Sequence, residues 1–204
     1  MNELKIESAN YEKYDVTLRD GAQDPQARFS VETKLEIARL LDDFGFDHIE
    51  GGWSGANKKD KAFFRQARSL RLKHAKLVDF GSTAKPNTVV EKDKNLLGLL
   101  QSETAVVTIV GKTWEQNVRN TLRVEWFENL KSITESVRFL ADQGREVFFD
   151  AEHWFDSYRQ NPGYAFEALD AALQGGASRL VLCDTRGANN DRFTQEAVES
   201  VVAR

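Results

Sequence analysis

The 204 residues include one cysteine, three histidines and three prolines, and what is scarce narrows the possibilities before any motif is considered. Cys183 has no partner for an internal disulfide, so stability has to come from a packed core rather than from cross-links. No apolar run approaches the roughly 18 residues needed to cross a bilayer, which excludes a spanning helix. There is no basic surplus: 28 Lys and Arg are scattered among 32 Asp and Glu, for a net charge of -4. No cationic face is concentrated enough to neutralise a phosphate backbone, so neither nucleic acid nor a membrane is an expected partner. The opening "MNELKIESANYEKYD" has neither the apolar centre of a signal peptide nor an Arg-rich transit character, and a cytoplasmic location is expected.

What is present is a recurrence. Short β-rich runs, "YDVTL" (14 to 18), "FDHIE" (46 to 50), "KLVDF" (76 to 80), "AVVTIV" (105 to 110), "REVFFDA" (145 to 151) and "RLVLCD" (179 to 184), alternate with helical patterns. Their starts fall roughly 30 to 40 residues apart, the length of a strand, a crossover helix and two loops, which predicts a parallel sheet. After the first run, Ser30 suits a helix cap and Glu32 the positive end of the dipole. Val31, Leu35, Ala38, Leu41 and Phe44 then repeat at three-to-four spacing until Gly45. Phe127, Leu130, Ile133, Val137 and Leu140 repeat the device before Gly144, and Pro162 opens a further helix that stops at Gly175-Gly176. With 41% hydrophobic residues and no linker-like composition, a single domain over 1–204 is expected.

Parallel βα units either close into a barrel or stay open as a doubly wound sheet, and the placing of polar residues separates the two. An open sheet gathers its chemistry at one switch point, whereas a barrel brings every strand's C-terminal end to one mouth. Here nearly every run ends in reactive types: Arg19 and Asp20, Glu50, Ser82 and Thr83, Lys112, Glu152 and His153, Asp184 and Thr185. No Gly-x-Gly-x-x-Gly follows the first run, and together these features predict an α/β fold of the (β/α)8 barrel type. Six strand signals stand where eight are needed, and a complete barrel takes about 250 residues. The expectation is a barrel truncated after about six units, with runs 14 to 18 and 179 to 184 at open edges and Asp20 facing the gap.

The stretch "YDVTLRDGAQ" ends its apolar run in Arg19, Asp20 and Gly21. An aspartate at a barrel mouth can give an oxygen to a hard divalent cation, and a neighbouring arginine can stabilise the oxyanion formed when a carbonyl is attacked. A structural ion pair closing the barrel explains the same residues, and spacing alone leaves both open.

The ordered set "DVTLRDGAQ", "FDHIEGGW", "LVDFGST", "VVTIVGKTW", "FFDAEHWFDSY" and "LVLCDTRGA" carries a resemblance from about Tyr14 to Gly187. It is similar to the metal-dependent Claisen-condensing barrels, related to HMG-CoA lyases, that include the isopropylmalate, homocitrate and citramalate synthases. "IEGGW", "FGST", "GKTW" and "FDAEHWFD" resemble the citramalate branch most. The resemblance implies that Asp20 is a ligand to a divalent metal (Mg2+ or Mn2+, with Zn2+ as a third option). It implies that Arg19 is the catalytic arginine, and that Glu50 is the acidic partner holding it. Arg19, Glu152, His153 and Thr185 would contact the acyl donor and substrate. The implied reaction joins acetyl-CoA to pyruvate, giving (R)-citramalate on a route into isoleucine, by an acyltransferase that is a homodimer when full length. Alternatives are isopropylmalate synthesis, a related carbon-carbon lyase, or a degenerate barrel without catalysis.

Three departures from the family pattern stand out. Val16 replaces the usual Thr, Arg186 stands where Asn is usual, and none of His48, His74 and His153 forms the family's His-x-His. The chain is therefore expected to bind metal weakly and to be inactive by itself. Among the other candidates, His48 reads as a barrel-lining histidine satisfied by a neighbour, sharing a strand face with Glu50. His74 reads as a loop residue, and His153 as either a substrate contact or a structural hydrogen-bonding group. Cys183 reads as a packed thiol and the aromatics Phe148, Phe149, Trp154 and Phe155 as core and wall, while "KKDK" (58 to 61) reads as a solvated helix start.

Overall fold

The computed structural model describes residues 11–204, so the opening segment read as lacking leader character lies, through residue 10, outside the described residues. Among the described residues six strands form one sheet: β1 (Tyr14–Asp15), β2 (His48–Gly52), β3 (Lys76–Ser82), β4 (Val106–Lys112), β5 (Glu146–Glu152) and β6 (Arg179–Leu182). They lie in sequence order, each parallel to the next. A doubly wound sheet would reverse its order at a switch point, and this one does not. As expected, β1 and β6 are the edge strands.

The crossovers carry helices α1 (Val31–Asp43), α2 (Lys58–Ala67), α3 (Lys94–Ser102), the short turn α4 (Glu115–Asn117), α5 (Trp126–Asp142), α6 (Trp154–Gln160), α7 (Pro162–Gly175) and α8 (Asp191–Val202). Strand periodicity of two divides the sheet into faces. Val107, Ile109, Val147, Phe149 and Ala151 pack outward with buried helix residues such as Leu96, Leu99, Ile133, Val137 and Leu169, whereas Val78, Val106, Phe148 and Tyr14 form a separate inner cluster. The sheet curls: Tyr14 on β1 reaches Thr108 on β4 at 2.7 Å and lies 5.9 Å from the Phe148 ring on β5. Glu12, just before β1, meets Arg179 of β6 through two contacts of 3.2 Å.

Local chemistry sets the boundaries. The Ser30 hydroxyl accepts from Thr33 N–H at the start of α1, and Asn161 does the same for Tyr164 before Pro162. At the end of α7, Gly176 takes the left-handed conformation (φ 101°), while at Gly175 a side chain would lie 2.7 Å from the Thr134 carbonyl, so the two glycines serve different needs. The first run is shorter than expected, because the Val16 carbonyl accepts from the N–H groups of Arg19, Asp20 and Gly21 and curls the chain into a turn. Gly21 has no positive φ and starts a short helical turn. Run six likewise ends at Leu182. Phe44 and Phe127, placed on apolar stripes by periodicity, are 76% and 57% exposed, since each sits at the end of its helix beyond the covered stripe.

The solvated reading of "KKDK" needs correction. These residues do start α2, but Asp60 is buried, accepting from Lys34 Nζ (2.5 Å), Trp53 N–H (3.0 Å) and Asn57 (2.7 Å). Lys34 is buried as well, also donating to the Gly51 carbonyl, and burial lowers its pKa. The pair ties α1 to α2 and to the loop after β2. Removing one partner strands the other charge, so Asp60→Ala is expected to lose about 3–5 kcal/mol in chemical denaturation. A loss below about 1 kcal/mol, the value of a surface pair, would show that the buried geometry is not maintained.

Candidate active site

At the C-terminal ends of the strands the side chains are polar, and the best-ordered group is built on Glu50. It sits on β2 with 1% exposure, two residues before the strand ends at Gly52. Arg19 Nε donates to its Oε1 through a short bond, and the Tyr14 hydroxyl donates to its Oε2 at 2.5 Å. Burial pushes the Glu50 carboxyl pKa up, while Arg19 and the two hydrogen bonds oppose that shift. The Tyr14 phenol is pushed up by burial and by the Glu50 charge. Arg19 also donates from Nη1 to Asp20 Oδ1 (2.9 Å), and its guanidinium lies 3.9 Å from the centre of the Phe80 ring. Its Nη2 makes no hydrogen bond among the described residues, which leaves one donor edge open.

The ion pair offered as one explanation of "LRDG" is present, with Arg19 anchored on one side and uncommitted on the other. Asp20 has a side chain 57% exposed. Among the described residues no three His, Cys, Asp or Glu side chains gather as a metal site. A hard cation needs several oxygens, so Asp20 alone does not make a metal centre.

On β5, Asp150 and Glu152 share the inner face. Glu152 forms a short bond with Lys112 of β4 at the rim. Asp150 is partly buried, its pKa raised by that burial, and it accepts from Cys183 Sγ at 2.8 Å. Cys183 is accordingly a packed thiol, its pKa raised by burial and by the Asp150 charge. His153 adopts φ 59°, which turns its N–H onto Thr185 Oγ1 (2.8 Å), while its Nδ1 lies 2.9 Å from Asp156. His153 and Thr185 are thus brought together, but at the backbone of one and the hydroxyl of the other. Arg186 Nη1 also reaches Asp156 (3.3 Å), so the unusual cation is tied to the carboxylate that holds His153. Asp184 caps its own loop through Ala188 and Asn189 N–H.

His74 lies in the loop before β3, as expected, its N–H donating to Asp42. His48 is buried against the rings of Tyr14 (5.9 Å) and Phe148 (5.0 Å), and its Nε2 has no hydrogen-bond partner among the described residues. The expectation that a neighbour satisfies His48 is not met at Nε2, because the groups around it are aromatic rings, and burial lowers its pKa. Phe148, Phe149, Trp154 and Phe155 are core residues. Sequence reasoning did not single out Tyr14, Thr108 or Asp150. Each lies at even spacing on the inner face of its strand, and that period was the signal available.

With this geometry in place, comparison with known proteins is informative. The HMGL-like family model matches residues 10–204. The chain belongs to the HMGL-like family. Family relatives include the (R)-citramalate synthases of Aquifex aeolicus, 48% identical over 94% of this chain and 36% of that protein, and of Geobacter sulfurreducens, 48% identical over 85% and 33%. The chain spans about a third of the length of these relatives. Among solved structures, hydroxymethylglutaryl-CoA lyase from Pseudomonas aeruginosa superposes with a TM-score of 0.75 at 17% identity, covering 94% of this chain and 63% of that one. The HMG-CoA lyase of Brucella melitensis gives 0.74 at 13% identity, covering 96% and 69%. At these identities the likeness speaks for the fold alone: six consecutive βα units of an HMG-CoA lyase-like (β/α)8 barrel. No helix among the described residues is long and apolar enough to cross a membrane.

Burial and the Asp150 charge should make Cys183 slow to alkylate. At pH 8, iodoacetamide is expected to modify it at least about tenfold more slowly in the native protein than in denaturant. Equal rates would place the thiol in an open, reactive setting.

Proposed function

We propose that the protein serves in the condensation of acetyl-CoA with pyruvate to (R)-citramalate, an acyl transfer in which the acyl group becomes alkyl. The observation that carries this reading is Arg19, fixed by buried Glu50 and stacked on Phe80 with Nη2 uncommitted. The names of the family's relatives support it too: citramalate synthases at 48%, against 30% for a probable 2-isopropylmalate synthase of Methanopyrus kandleri.

The chemistry follows from what such a mouth supplies. Loss of a methyl proton turns the acetyl thioester into a carbon nucleophile, which attacks the ketone carbon of the oxo acid. The ketone oxygen then takes the negative charge. A guanidinium already held in place stabilises that oxygen without reorganising, which is where preorganised donors are most effective. Glu50 is the group that holds Arg19, and Glu152, drawn to Lys112, lies beside the acyl donor together with His153 and Thr185. Water then cleaves the thioester, releasing coenzyme A and making the addition irreversible. Asp20 offers one carboxylate to a divalent cation whose remaining ligands would come from outside the described residues.

In a complete barrel carrying this sequence, methyl-13C acetyl-CoA and pyruvate should yield citramalate with the label in its new methylene carbon, whereas residues 1–204 alone should yield none above a no-protein control. Product from 2-oxoisovalerate in preference to pyruvate, or no labelled citramalate from the complete barrel, would overturn the assignment. In the active protein Arg19→Lys is expected to cut turnover by a hundredfold or more, about 3 kcal/mol, since a point ammonium cannot reproduce the planar fork. Glu50→Gln should keep the fold, read by circular dichroism, and lose activity, because a neutral amide no longer provides the charge-assisted bond. Unfolding with no loss per folded molecule would make Glu50 structural only.

A further inference from the structure

Glu50 has two carboxylate oxygens and 1% exposure, so each oxygen must find a donor inside the protein. Oε1 takes Arg19 Nε and Oε2 takes the Tyr14 hydroxyl at 2.5 Å. That hydroxyl is shared with Thr108 Oγ1 at 2.7 Å, and its ring packs against both His48 and Phe148, each 5.9 Å away. Tyr14 therefore has little freedom to leave.

A carboxylate left to itself takes arginine through two parallel bonds, which would use both oxygens and a second guanidinium nitrogen. Here that arrangement is not adopted: Arg19 reaches Glu50 through Nε alone, and Oε2 accepts from Tyr14 instead. We propose that Tyr14 is a positioning residue: by occupying the second oxygen of Glu50 it keeps the Nη2 edge of Arg19 free for the charge that develops on the substrate. The inference rests on the reading of Arg19 as the group that meets that charge. Deleting the hydroxyl leaves a buried acceptor without a partner, and the nearest strong donor is the same guanidinium. Arg19 then turns to bind Glu50 with Nε and Nη2, which commits one Nη2 N–H and aims the other away from the developing charge.

The test is Tyr14→Phe, studied by crystallography and kinetics in the full protein. The expected structure has Arg19 Nη2 in hydrogen-bond contact with Glu50 Oε2. Turnover should fall about tenfold to a hundredfold, with KM for acetyl-CoA unchanged. Thr108→Val removes only the hydroxyl's second partner and should keep turnover within about threefold. Placing 4-aminophenylalanine at position 14, which restores a donor, should do the same. Arg19 unmoved in Tyr14→Phe, with a water in place of the hydroxyl, would overturn the proposal, as would a reoriented Arg19 with normal turnover. The Arg19→Lys variant separates the two ideas: if it keeps normal turnover, the reading of Arg19 fails, whereas the Tyr14→Phe structure still decides whether Tyr14 holds the guanidinium's orientation.

Discussion

Glu50 is a carboxylate placed where water cannot reach it, and the candidate site is arranged around that constraint. Burial pushes its pKa up, and an unpaired buried charge costs several kcal/mol. Arg19 and Tyr14 offset that cost from two directions, one from the turn after β1 and one from β1 itself. The same pair joins the edge strand to the sheet interior, because Tyr14 passes from Glu50 on β2 to Thr108 on β4. The polar mouth and the curl of the sheet are thus parts of one arrangement.

Beneath this layer lies an aromatic floor of Tyr14, His48 and Phe148, and around it a ring of paired charges: Lys112 with Glu152, and Asp156 with His153 and Arg186. Most cations at the mouth are committed to a carboxylate. Arg19 is paired too, with Asp20 and with the buried Glu50, and it is this buried anchor together with an Nη2 unbonded among the described residues that centres the functional reading on it. The outer face has its own buried charges, Lys34 with Asp60, and Asp79 held by Ser54 with its pKa raised to about 7 by burial. These bind helix to sheet and lie away from the inner face.

Strand and helix positions were legible because short β-branched runs such as "VVTIV" recur at the spacing of βα units, and because helix stripes such as Ile133, Val137 and Leu140, all buried, keep period 3.6. What periodicity missed lies at ends. Phe44 and Phe127 fit their stripes yet project past the surface that covers them, and β1 stops early because one carbonyl, that of Val16, collects three N–H groups. Asp60 hid within a run of lysines, since composition does not reveal which side of a helix faces inward. Their place at strand ends pointed to Arg19, Glu50 and Glu152, and the resemblance supplied their roles. Tyr14 escaped notice because it reads as one more strand aromatic, and only the three-dimensional closure reveals what its hydroxyl meets.

The central claim is that Arg19 and Glu50 act as one unit on turnover. A double-mutant cycle measures this most directly: kcat for the unaltered protein, Arg19→Lys, Glu50→Gln and the combined variant. If Glu50 acts through Arg19, the combined loss should be no greater than the larger single loss. Losses that multiply, each variant lowering kcat by its full factor in the presence of the other, would contradict the account and make the two residues independent.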